Sequence, residues 1–194
     1  METTIVSPNE NQKIASNGVM GMLFLLVTEI MFFAGLISAY IVNRAGNMLW
    51  PPYNQPRLPV EVTAINTVIL MCSALVFYFF FKKFNSKKNA LSLLSLSILL
   101  DATFLCVQGS EWIKLIHYGL TTSSSLYGAF FYTIIGIHGL HVLVGLFILL
   151  YLFFTLKNNT VSFENAKNKI IVSGMYLYFV VAIWPVLYFL VYLF

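Results

Sequence analysis

Six side chains in this 194-residue sequence have types and positions that could hold protons or an ion: Glu29, Asp101, Gln108, Glu111, His138 and His141. Each falls in or at the edge of a stretch apolar and long enough to cross a bilayer. Glu29 is the most telling, because the run from Gly18 to Asn43 contains no other charge. At about 1.5 Å per residue, a helix entering the hydrocarbon near Gly18 carries Glu29 roughly 16 Å deep, close to the midplane of a core about 30 Å thick. An ionised carboxylate there is expensive. Glu29 is therefore expected to be protonated, hydrogen-bonded to a neighbouring helix, or beside an internal water path.

His138 and His141 are three residues apart and share a helix face with Ile134 and Gly145. Two imidazoles at that spacing could hold a metal or haem, or could hydrogen-bond across helices. A redox or catalytic metal needs further ligands, and no Cys, Met or carboxylate cluster nearby completes a set. Residue counting puts His141 near the level of Glu29 and His138 near Gln108, so these crossings are the expected polar partners. Asp101 has the same depth as Glu29, which allows either a proton-carrying pair or two separately satisfied polar groups. Ser97, Asp101, Gln108 and Glu111 follow spacings of four, seven and three, a single helical stripe that should face protein. Glu111, beside Trp112 near a membrane interface, reads as a solvated or loop-capping carboxylate.

The elements that must position these groups are helices. With 59% hydrophobic and 9% charged residues, the chain falls far from a soluble domain, which carries about a quarter charged residues. The expectation is an all-α, polytopic, single membrane domain with five spans, near 18–42, 60–81, 90–112, 126–156 and 170–194. The formal charge of +4 lies in short loops, which argues against nucleic acid. Residues 1–17 read as a polar tail without a cleavable signal peptide. Gly21, Thr28 and Gly35 mark a close-packing face on the first span. Trp50 and Tyr53, in a proline-rich connector, are expected at the membrane interface. Cys72 and Cys106 read as two buried small hydrophobes rather than a disulfide. Pro185 should kink the last span or need a neighbour to satisfy the freed carbonyl.

Five spans put Lys13, Lys82, Lys83, Lys87, Lys88, Lys157, Lys167 and Lys169 on one side, and Arg44, Arg57 and Lys114 on the other. Eight against three predicts a cytoplasmic N-terminus and an outer C-terminus. There is no inverted repeat, phosphate-binding loop, Ser/His/Asp arrangement or dinucleotide fingerprint. The residues alone stop at a five-helix membrane protein with a few buried protonatable groups.

Five segments then resemble subunit III of the haem-copper oxidases, most closely that of the cytochrome c oxidases. They are FLLVTEIMFFAGLISAY with Glu29, WPP at Trp50 to Pro52, INTVIL with Asn66 and Thr67, QGSEW from Gln108 to Trp112, and FFYTIIGIHGLHVLVG with His138 and His141. The likeness covers Gly18 to Tyr192 and suggests the short, five-helix form of the family. One departure stands out: where the family's last helix has His-Phe-Val-Asp ahead of its tryptophan, this chain has Tyr178, Phe179, Val180 and Val181 ahead of Trp184. Asp101 is not part of the recognised motifs.

The resemblance implies a subunit with no redox centre, bound to catalytic subunit I, which holds haem and copper, and to subunit II. The complex would take electrons from cytochrome c, reduce oxygen to water and pump protons in a bacterial plasma membrane. Subunit III would support proton uptake, bind phospholipid, protect against inactivation during turnover, and in some cases join a larger respiratory supercomplex. A subunit III-like part of a quinol oxidase or nitric oxide reductase is the alternative, and a free-standing transporter or channel is a third reading.

Overall fold

The computed structural model describes residues 17–47, 49–52, 56, 58–86, 90–158 and 160–193. Among these, five helices are long and apolar enough to span a membrane: α1 (Asn17–Ala45), α2 (Val60–Asn85), α3 (Leu91–His117), α4 (Leu126–Lys157) and α5 (Phe163–Tyr188), the last continued by a π-helical turn, Phe189–Leu193. In hydrocarbon a helix satisfies all its backbone groups internally, so uncharged runs of this length have no cheaper structure. The fold is all-α, as expected.

The ends are set by local chemistry. Ser125 caps α4 by accepting a hydrogen bond from the Gly128 N–H at 3.0 Å. α3 ends where Gly119 takes φ +90°, which returns the Leu120 and Gly119 N–H groups to the carbonyls of Leu115 and Ile116 and buries Leu120. α5 runs through Pro185 before its register widens into the π-helical turn.

α2 packs on α3, α3 on α4, α4 on α5 and α5 back on α2, closing a four-helix ring. α1 lies outside that ring, against α5 and α4. The ring interior holds Phe104, Phe131, Ile135, Trp184 and Leu187, all essentially without exposure. α1 buries only Phe33 and Tyr40.

Three expectations need correction. Gly21, Thr28 and Gly35 do not form a packing face within this chain: all three are exposed, and a methyl built on either glycine meets nothing within 4 Å. The stripe points away from α4 and α5, a direction that small-residue spacing does not encode. Cys106 is exposed and Cys72 half-buried, so neither is a core hydrophobe; both thiols are free. Trp50 is half-buried by its own chain, donating to the Tyr40 hydroxyl at 3.2 Å and lying edge-on to Tyr127, instead of serving only as an interfacial anchor. Tyr53, Arg57, Lys87, Lys88 and the tail before Asn17 lie outside the described residues.

Candidate polar sites

Two sets of polar side chains emerge, one on the seam between α1 and α4 and one inside the ring. At the seam, His141 Nε2 lies 2.9 Å from Glu29 Oε2, and His141 Nδ1 lies 2.8 Å from the Ile137 carbonyl one turn earlier. A carbonyl only accepts, so Nδ1 carries a hydrogen. With Nδ1 protonated, two states remain at Nε2: a neutral imidazole accepting from a protonated Glu29, or an imidazolium donating to the ionised carboxylate. Either way one proton lies between the two side chains. Phe33 packs edge-on to the His141 ring at 5.2 Å and holds α1 against α4 one turn beyond Glu29. Tyr176 of α5 donates to the His141 backbone carbonyl at 3.3 Å. The Glu29 and His141 side chains keep 22% and 15% of their exposure, so the shared proton can be reached from the outer surface of the bundle.

Inside the ring, Asn66 Nδ2 donates to the Phe104 carbonyl at 3.1 Å and approaches Gln108 Oε1 at 3.5 Å. Gln108 Nε2 donates to the Tyr192 hydroxyl at 3.0 Å. Trp184 Nε1 donates to Thr67 Oγ1 at 2.8 Å, and Thr67 passes its own hydrogen to the Thr63 carbonyl at 2.7 Å. This network joins α2, α3, α5 and the π-helical turn. At its end nearest the α1–α2 connector a cavity of about 310 Å³ opens between Tyr40, Trp50, Tyr127 and Tyr192.

Of the sites expected from sequence, Glu29 and His141 come together and Gln108 enters the ring network. His138 does not. It is buried, yet neither ring nitrogen has a hydrogen-bond partner; the imidazole instead stacks on Trp184 at 4.8 Å and 23° and meets Phe33 and Phe104 edge-on. Equal depth with Gln108 did not bring contact, because the Trp184 indole covers the imidazole face. Asp101 is also buried, and its polar neighbour is Ser73 of α2, at a geometry short of a well-formed hydrogen bond, so it forms no pair with Glu29. The reason is topological: Asp101 sits between α3 and α2, whereas Glu29 rides on the helix outside the ring. Glu111 is buried and bound to Lys114 Nζ at 2.7 Å, one turn along α3, rather than solvated or capping a loop. Adjacent Trp112 lies against α4 where Gly139 leaves room for its ring, with 3.1 Å to a methyl built there.

Among the described residues no group of three or more His, Cys, Asp or Glu could hold a metal ion. His141 already uses both nitrogens, and His138 faces apolar rings. Sequence reasoning named Asn66 and Thr67 within the INTVIL segment of span two, but missed Tyr176 and Tyr192 and the bond from Trp184. From Tyr176 onward the last helix is rich in aromatic residues, so no periodic signal distinguishes a hydroxyl that bonds from one that packs. At the departure in that helix, Tyr178 is exposed and edge-on to Phe77, and Val181 is a core residue.

A family profile described as cytochrome c oxidase subunit III matches residues 1–194. The chain is 35% identical to a probable cytochrome c oxidase subunit 3 of Nocardia farcinica, over 84% of this chain and 81% of that protein. It is 32% identical to cytochrome c oxidase subunit 3 of Corynebacterium diphtheriae, over 89% and 85%. It is 30% identical to that of Synechocystis, over 89% and 74%.

Proposed function

This chain belongs to the cytochrome c oxidase subunit III family, and we propose that it serves its oxidase as a proton-handling and protective subunit through the Glu29–His141 seam. Catalysis in such a complex is carried by other subunits. In this reading subunit I holds the haems and copper, subunit II and cytochrome c supply electrons, oxygen is reduced to water, and the complex pumps protons. The observation that carries the reading is the 2.9 Å contact between Glu29 Oε2 and His141 Nε2, on a partly open surface near the expected bilayer midplane. A group that gives and takes one proton there, next to a catalytic subunit, buffers proton supply without lying on an obligatory path.

The basic residues favour an N-terminus in the cytoplasm of a bacterial cell, with the chain forming one membrane domain. Phospholipid would cover the apolar outer faces of α1 and α2, and a larger respiratory assembly would add further neighbours. Relatives named as cytochrome c oxidase subunits favour this reading over a quinol oxidase or nitric oxide reductase. Purification in mild detergent with a tag on this chain tests it. Haem and copper should co-purify, with oxygen consumption driven by reduced cytochrome c; activity with quinol alone, or a chain isolated without metal-bearing partners, would refute it.

A further inference from the structure

One buried hydroxyl without a partner opens on a cavity. Tyr127, the second residue of α4, is 4% exposed and lines the cavity of about 310 Å³ at the end of the bundle where α1 and α5 finish and α2 and α4 begin. Its hydroxyl has no hydrogen-bond partner among the described residues, and the oxygen keeps accessible surface although the residue is buried. A phenol donor is left facing the space. Tyr40, on the wall formed by α1, adds a second: its oxygen accepts from Trp50 Nε1 at 3.2 Å, and its own hydrogen has no acceptor among the described residues.

The other polar groups of the lining are already engaged. The Tyr192 hydroxyl accepts from Gln108 Nε2 at 3.0 Å and lies beside Thr63, and the Val60 carbonyl accepts from the Tyr188 hydroxyl at 3.1 Å. Trp50 stands edge-on to Tyr127 at 5.3 Å and to Tyr40 at 5.6 Å, so these rings fix one another as walls. Among the described residues no charged side chain lines the cavity; Arg44, in the last turn of α1, acts on the Tyr127 hydroxyl from outside the lining.

These features define the ligand. Two unanswered donors call for acceptor oxygens, and a nearby cation favours oxygens that carry partial negative charge. A lining without a charge does not suit a phosphate or a carboxylate. Aromatic walls suit a flat ring, and small-molecule sites begin at about 300 Å³, which leaves room here for one substituted ring with its tail outside. The ends of four membrane-spanning helices meet at this level, so the ligand arrives from the bilayer.

We infer that the cavity holds, without an electron-transfer step, the ring of a membrane quinone in its oxidised form. One quinone carbonyl accepts from Tyr127 and the ring lies among Tyr40, Trp50 and Tyr192. The reduced quinol fits less well, because it brings two donors of its own to a site that offers donors.

Equilibrium binding of radiolabelled decylubiquinone to the purified oxidase complex, in quinone-free nanodiscs of dioleoylphosphatidylcholine, tests this. It is read as the difference between wild type and variants, so that any quinone site elsewhere in the complex cancels. Leu58→Trp, which fills the cavity, should remove one bound quinone per complex. Tyr127→Phe, which keeps the ring and deletes the unanswered donor, should weaken binding about three- to ten-fold. Decylubiquinol should bind wild type more weakly than the quinone, and Tyr127→Phe should narrow that preference. Affinities that are unchanged in both variants, or no binding to wild type, overturn the site. So does a phospholipid that native mass spectrometry finds retained by wild type, lost from Leu58→Trp and not displaced by decylubiquinone. If Leu58→Trp does not assemble, Tyr127→Phe decides alone: equal quinone affinity in wild type and in that variant overturns the site.

Discussion

Replacing Glu29 by Gln or Ala separates a proton-holding seam from a structural tie. In Glu29→Gln the amide N–H can donate to His141 Nε2, so the bond at 2.9 Å survives with neutral imidazole, while the shared proton is lost. In Glu29→Ala the bond itself goes. Helix–helix hydrogen bonds in bilayers average about 0.6 kcal/mol and reach about 1.7. His141 keeps 15% side-chain exposure, so its freed nitrogen finds water or another partner, and the loss belongs at the lower end of that range. The Gln variant should therefore lie within about 0.5 kcal/mol of wild type, and the Ala variant about 0.5 to 1 kcal/mol below it. Thermal unfolding of the assembled oxidase reads the stability difference. Proton release per electron and the number of turnovers before inactivation read the function. The Gln variant is expected to retain oxygen reduction but to pump less or inactivate sooner. Wild-type pumping and endurance in that variant would remove the proton role and leave Glu29 as a tie between α1 and α4, and equal stability of the Gln and Ala variants would refute the hydrogen-bond reasoning as well.

Three further outcomes follow from the same structure. Cysteines placed at Ser86 and Leu49 should label from the cytoplasmic and outer sides respectively, and the reverse pattern would overturn the charge-based orientation. Gly128→Ala should destabilise the chain by about 1 to 3 kcal/mol, because the new methyl runs into the Thr121 backbone carbonyl, whereas Gly35→Ala, which meets nothing, should change stability by less than about 0.5 kcal/mol in the isolated chain. Unfolding in detergent compares them, and equal effects would contradict the packing described. Trp184→Phe removes the 2.8 Å bond to Thr67 and part of the ring stacked on His138, so a loss of about 1 to 3 kcal/mol is expected; a neutral result would mean that this network does not hold α5 to α2.

Much of this arrangement was written in the chain itself. Uncharged runs of twenty or more residues leave no alternative to helices in a bilayer, so the five spans could be read directly, with α5 beginning at Phe163, ahead of its apolar stretch. Depth counting also placed Glu29 level with His141, because helical rise is nearly constant and two antiparallel spans share a membrane plane. Depth fixes one coordinate only. Which way a residue points around its helix, and which helix stands opposite, depends on the order of packing, and the sequence does not state that α1 lies outside a ring of the other four. That single fact exposes Gly21 and Gly35, keeps Glu29 apart from Asp101 despite their equal depth, and lets Trp184 cover His138 where Gln108 was expected. The tertiary structure alone decided which polar groups meet, because side-chain contact depends on rotation and neighbour choice as well as on position along the chain.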